Sequence, residues 1–285
     1  MPASTPTPSD GLWNRLAPFL KSSGYRVQSR PRELAIPHDP SVRAALELKT
    51  GRYVALKLYD ADNQRDQLET IKELSHHSNA ENPMNHTVRC ERILELPGQS
   101  EVLIMVMPLL KSLGNAPFAT IEEAIDCLRQ VFEGLEFLHG KRIAHLDISL
   151  DKIMFADGSK EGSRTYFLTG FGSSRNYGEN NFDDAPPGVW DINSSDNTVP
   201  EFRPGFSAFY SGPFNPFLVD VYLLGNMIKR DLIEGNPDTK RHGYPELDFL
   251  APLAQWMTDR QPSCRPNMTR ARCYLGQILS GNAGQ

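Results

Sequence analysis

The hydrophobic period changes once along the chain. Up to about residue 110 the apolar positions form short runs of strand length. In GRYVALKLYD (Gly51–Asp60), Tyr53, Ala55, Lys57 and Tyr59 share one face and Val54, Leu56 and Leu58 the other, after a turn at Thr50-Gly51. HTVRCERILEL (His86–Leu96) and EVLIMVMPLL (Glu101–Leu110) predict two more strands, joined at Pro97-Gly98. A helix is expected between them in DQLETIKELSHH (Asp66–His77), with Leu68, Ile71 and Leu74 on one face. From Thr120 the spacing becomes three to four, through Ile121, Ile125, Leu128, Phe132, Leu135 and Leu138, as on one side of a long helix. LVDVYLLGNMIKR (Leu218–Arg230) and ELDFLAPLAQWMTD (Glu246–Asp259) predict further helices. Between Gly172 and Pro216 a Pro-, Gly-, Asn- and Phe-rich stretch shows little period, and is too long for an ordinary connection.

This outline is α+β, a strand-rich first third followed by a helical remainder. The length of 285 residues suits one large two-lobed unit with a sizeable core. Residues 1–10 are rich in Pro, Ser and Thr and read as a disordered tail. A net charge of −5 and a pI near 5.8 argue against nucleic acid or an anionic membrane as the main partner. Cys90, Cys127, Cys264 and Cys273 are widely spaced and suggest neither a zinc site nor a disulfide framework. MPASTPTPSD has no basic region leading into an apolar run, and no apolar run reaches the ~18–20 residues of a membrane span. An intracellular chain, cytoplasmic or nuclear and not secreted, is the expectation.

Five motifs then fall in a recognisable order. VALK (Val54–Lys57), HLDISLDKIM (His145–Met154), LTGFG (Leu168–Gly172), VDVYLLG (Val219–Gly225) and DRQPSCRP (Asp259–Pro266) together resemble the protein kinase superfamily, over roughly Tyr25 to Leu279. The resemblance implies a two-lobed kinase-like fold. Residues 11–108 would form the small β-rich N-lobe and 109–285 the larger α-helical C-lobe, with an activation segment at about 170–201.

It also implies a site, and several positions depart from the family pattern. Phosphoryl transfer needs phosphates held in place, divalent metal to neutralise charge, and a carboxylate to orient the attacking hydroxyl. Val42 stands 15 residues before Lys57, which puts Ala35, Pro37 and Pro40 where the family has three glycines. Proline has no N–H to offer a phosphate. Lys57 matches the phosphate-binding lysine, the alternative being a solvated lysine at a strand end. Its helix partner, a glutamate in the family, is Gln67, or Glu69 if the register shifts. Asp147 stands at the position of the orienting carboxylate, either catalytic or retained only to brace its own loop. Lys152 replaces the metal-binding Asn and Gly170 the metal-binding Asp, so both protein ligands for Mg²⁺ are missing together. Lys152 could hold a phosphate in place of a metal, and Asp151 or Thr169 could shift into a ligand role. Leu146 replaces the arginine that receives an activation-segment phosphate.

The remaining matches are architectural. His145 and Asp220 resemble the pair that braces the catalytic loop, and Glu201 and Arg265 a buried ion pair. Met107 would close the back of an adenine pocket. Ala55 would lie above the ring, Met154 below it and Leu110 in the hinge; the same residues could equally be plain core. The reading is a pseudokinase: a binding or regulatory module for protein partners, with ATP as its candidate nucleotide and little or no use of Mg²⁺. Two rivals stand beside it, a divergent active serine/threonine kinase using Lys57 and Asp147, and a metal-independent nucleotide-binding switch. The segment 183–216 and the large lobe are the expected docking surfaces.

Overall fold

The structure, a computed structural model, describes residues 10–28, 39–113, 117–158, 163–178, 196–203, 215–239 and 241–281. The tail 1–9, Ala35, Pro37 and most of the segment 179–214 lie outside the described residues.

A five-stranded antiparallel sheet forms the small lobe, in the order β1 (Tyr25–Val27), β2 (Val42–Glu47), β3 (Tyr53–Asp60), β5 (Gln99–Pro108), β4 (Arg92–Leu96). The alternation expected in β3 is present, but both of its faces are covered. Val54, Leu56 and Leu58 lie against a helix that the sequence pattern did not reveal, α1 (Asp10–Ser22). Trp13, Leu16 and Leu20 of α1 are buried at i, i+3 and i+7, packing on Tyr25, Ile104 and Val106. Asp10, the last residue of the expected tail, opens this helix. Gly24 ends the excursion at φ +96°, where a residue with a Cβ would be strained.

The inner face of the sheet carries α2 (Arg65–Ser75), with Leu68, Ile71 and Leu74 buried as their spacing predicts. A short helix, α3 (His77–Ala80), follows it. The strand expected from His86 begins only at Arg92. His86 and Val88 instead exchange backbone hydrogen bonds with Leu168 (Leu168 N to His86 O 2.7 Å, Val88 N to Leu168 O 3.0 Å), so this piece joins a sheet of the other lobe.

The large lobe is built on α4 (Ile121–Gly140), capped by Thr120, whose hydroxyl accepts from Glu123 N. Its inward stripe of Leu128, Phe132, Leu135 and Leu138 is fully buried. Beside it lie the antiparallel sheet β6 (Lys111–Ser112), β8 (Ile153–Asp157), β9 (Arg164–Leu168) and the small pair β7 (Ile143–Ala144) and β10 (Arg175–Asn176). The centre is α5 (Pro216–Met227), apolar and buried on all sides, with Pro216 in its first turn and Asn215 capping Phe217 N. A π-helical turn continues it through Ile228–Ile233, followed by the strand pair β11 (Gly235–Asn236) and β12 (Arg241–His242). The lobe closes with α6 (Ala251–Met257) and α7 (Met268–Leu279).

Among the described residues of this lobe, the carboxylates of Glu201 and Asp220 are fully buried. Glu201 accepts both arms of the Arg265 guanidinium (2.5 and 2.9 Å), and Arg265 also donates to Leu218 O (2.9 Å). Both side chains are almost wholly excluded from solvent, 0% exposed for Arg265 and 2% for Glu201, so losing one strands the other's charge. Glu201→Ala and Arg265→Ala should each cost ~3–5 kcal/mol in urea unfolding. A loss below ~1 kcal/mol would show that the pair does not hold the lobe.

Candidate functional site

The second buried carboxylate organises the site. Asp220 of α5 accepts from the backbone N–H of His145 (2.8 Å) and Leu146 (2.6 Å), and from His139 Nε2 (2.9 Å). This bond set holds Leu146 at φ +63°, a left-handed conformation costly for a β-carbon-bearing residue and stable here because its surroundings over-determine it. Leu146 is fully buried, so the position lacks any exposed cation. His145 Nε2 donates to Thr169 O (3.0 Å), while its Nδ1 accepts from Asp147 N–H (3.4 Å). Burial pushes the His145 imidazole below its ordinary pKa, which suits this neutral tautomer. The His145 ring also packs on buried Phe171, with centroids 5.0 Å apart.

Asp147 follows directly, nine-tenths buried, and its carboxylate is 3.0 Å from the Lys152 ammonium. A 3₁₀ turn, Leu150–Lys152, brings the lysine around. Its carbonyl is gripped by Thr169, whose N–H (2.8 Å) and hydroxyl (3.0 Å) both donate to it. That clamp lays the lysine stem over Gly170, at φ +81°. A Cβ on residue 170 would come within 2.7 Å of Lys152 Cδ. The two departures from the family pattern therefore occupy one volume: the stem of Lys152 fills the space a side chain at 170 would need.

Of the two candidate substitute ligands, Asp151 pairs with Arg241 (2.6 Å) and the Thr169 hydroxyl donates to Lys152 O. Among the described residues no group of three His, Cys, Asp or Glu side chains could hold a metal ion.

Lys57 faces the same cleft from β3. Among the described residues it forms no hydrogen bond or ion pair, and its ammonium lies 5.0 Å from the centre of the Tyr59 ring. Burial pushes its pKa below the usual lysine range; the Lys152 charge pushes the same way and Asp39 opposes it. On α2 it is Gln67 that turns inward, while Glu69 is exposed and paired with Lys72 (2.9 Å). The Gln67 amide nitrogen lies 3.7 Å from where a Gly172 Cβ would be, and its Oε1 is buried without a hydrogen-bond partner.

The cleft itself is a cavity of about 180 Å³. Ala55, Lys57, Met107, Leu110, Lys152 and Met154, separated by up to a hundred residues in sequence, all line it. Two lining or supporting residues escaped the sequence reading. Asp39 lines the cavity from the turn before β2, and Trp13 holds that turn by donating from Nε1 to Pro40 O (3.1 Å).

With this geometry in view, comparison with known proteins is direct. The sequence model of the protein kinase domain matches residues 39–189, just over half of the chain, and the chain belongs to that family. A curated relative, the probable serine/threonine-protein kinase fhkE of Dictyostelium discoideum, is 25% identical over 159 residues. That match covers 50% of this chain but only 21% of the relative, so the chain spans about a fifth of that protein's length. Among solved structures, the Rad53 kinase domain with SCD2 superposes with a TM-score of 0.55 at 19% identity, covering 88% of this chain and 87% of that one. The fold is thus kinase-like, a curled antiparallel sheet over a helical lobe.

Two measurements test the site's packing and charge. Gly170→Asp alone should cost ~1–3 kcal/mol by overpacking against Lys152. Combined with Lys152→Asn, at least ~1 kcal/mol of that loss should return, a coupling expected only for side chains sharing one space. Lys57→Met should melt higher than the parent at pH 7. The buried ammonium costs stability below its lowered folded pKa, and that cost fades as pH rises towards the ordinary lysine value. The gain should therefore shrink between pH 7 and pH 10.

Proposed function

We propose that this kinase domain is a pseudokinase, a binding or regulatory module that transfers little or no phosphate from Mg-ATP. The observation that carries this reading is the 3.0 Å ion pair between Lys152 and Asp147. In an active site the carboxylate must be free to orient a hydroxyl, and acidic or amide oxygens must hold Mg²⁺ nearby. Here an ammonium occupies that neighbourhood. It repels a divalent cation, satisfies the carboxylate, and leaves no room for an acid at residue 170. Pro40 offers no N–H to a phosphate, and Gln67, at the position where the family has the lysine's glutamate partner, carries no charge to neutralise Lys57. Protein partners are the expected ligands of such a module, met by surfaces of the large lobe.

A rival reading rests on a specific observation: Lys57 and Lys152 line one cavity, and Lys152 binds Asp147. A divergent kinase using Lys57 and Asp147, and acting on Ser/Thr as the Dictyostelium relative is named for, would need Lys152 to swing aside.

Purified chain incubated with radiolabelled ATP, Mg²⁺ and a general protein substrate should transfer no label above background. Its melting temperature should show no Mg²⁺-dependent shift with ATP. Transfer that is abolished by Asp147→Asn would overturn the pseudokinase reading in favour of the rival.

A further inference from the structure

One short turn of the small lobe touches α1 on one side and the cleft on the other. It runs from Asp39 to Val42, whose N–H donates to Asp39 O (3.0 Å). Asp39 and Val42 line the cleft. From the α1 side, Trp13 Nε1 donates to Pro40 O (3.1 Å). Arg43 Nη1 donates to the same oxygen (3.2 Å) and to Val42 O (2.9 Å). The Arg43 guanidinium lies 5.6 Å from the centre of the Trp13 ring, and both side chains are buried. Trp13 is thus both a donor to the turn and the ring against which a buried cation packs.

Ser41 carries the hold of α1 into the sheet. Its N–H (2.8 Å) and hydroxyl (2.6 Å) both donate to Asp39 Oδ1, and its carbonyl accepts from Leu58 N (2.9 Å) on β3. The helix that pins this turn depends in its own right on being docked. At 13 residues α1 is near the lower limit for a helix that persists alone in water. Pro18 in its interior has no N–H to give Asn14 O, which weakens it further. Its apolar stripe belongs to a cluster separate from the main core, which runs through α2 and the large lobe. Off the sheet, α1 would lose its helical form, and Trp13 would leave Pro40 with it.

We infer that α1 is a clamp on the cleft: docked, it fixes the turn from Asp39 to Val42 as one wall of the cavity, and released, it frees that turn and opens the cavity. Val54, Leu56 and Leu58 of β3 meet α1 on one face of the sheet, while Ala55 and Lys57 line the cleft on the other. The folding of α1 and the closure of the cleft are therefore one event. The outer face of the sheet becomes a place from which the cleft is controlled without being entered. This device concerns the movement of a wall, and it holds whether or not the chain transfers phosphate.

Residue-resolved hydrogen exchange of the whole chain, read by NMR, tests the coupling. Trp13→Phe keeps an aromatic ring and removes the Nε1 donor. The Val42 and Leu58 amides, bonded to Asp39 O and Ser41 O, should then exchange about fivefold faster, as for the loss of one neutral hydrogen bond. Leu128 and Phe132 in α4 should keep the parent's rates. Pro18→Ala, which restores a helical N–H at an exposed position, should slow the same two amides, a change that poor folding cannot produce. Acetylation of Lys57 by an N-hydroxysuccinimide ester reads the cleft itself. It should quicken in Trp13→Phe and slow in Pro18→Ala, with exposed Lys141 unchanged as the reference. Parental rates at Val42 and Leu58 in both variants, or an acceleration shared equally with Leu128 and Phe132, would each overturn the inference. So would Lys57 acetylation that does not follow these amides.

Discussion

The chemistry of this cleft depends on one buried carboxylate. Asp220, with no solvent exposure, takes hydrogen bonds from the backbone of His145 and Leu146 and from the His139 ring. A charge buried so deeply is stable only when its acceptor capacity is filled. Filling it with two successive backbone N–H groups forces Leu146 into the left-handed region. That bend sets where Asp147 emerges and where His145 reaches Thr169. The position of Lys152 follows, because Thr169 grips its carbonyl from the neighbouring strand. These hydrogen bonds fix the backbone from His145 to Lys152, and the departures from the family pattern lie in the side chains that this loop presents.

Those departures support one another. Lys152 for an acid-binding amide would by itself leave an unpaired charge, and Gly170 would by itself leave a void. Together the lysine stem fills the void and its ammonium neutralises Asp147. Lys57 lines the same cavity as Asp39, whose charge opposes the lowering of the lysine pKa by burial.

Legibility from sequence followed the physics of each element. Residues read by period, the strand at 53–60, the helix face of Leu68, Ile71 and Leu74 and the long helix from Ile121, emerged as expected because packing on one face imposes that period. Matches carried by motif order brought Ala55, Lys57, Met107, Leu110, Lys152 and Met154 onto one cavity, since their family spacing encodes a shared fold. Four things were not legible. The helix α1 was hidden by Pro18 in its interior and by the proline-rich run before it, although Trp13, Leu16 and Leu20 carried the right spacing. The segment from His86 looked like a strand and is extended, yet its hydrogen bonds go to Leu168, a tertiary choice no local pattern specifies. Asp39 in HDPS carried no signal of its own, and only the fold shows that it lines the cleft. The interlock of Lys152 with Gly170 was likewise readable as two losses but not as one compensated packing.

The central claim is that Lys152 stands where the family holds its metal. The most direct check is a crystal of the chain soaked in Mn²⁺ and ATP, with diffraction measured at a wavelength where manganese scatters anomalously. The account predicts no manganese peak beside Asp147, with the Lys152 ammonium still on its carboxylate. A manganese peak coordinated by Asp147, with Lys152 swung away, would contradict it.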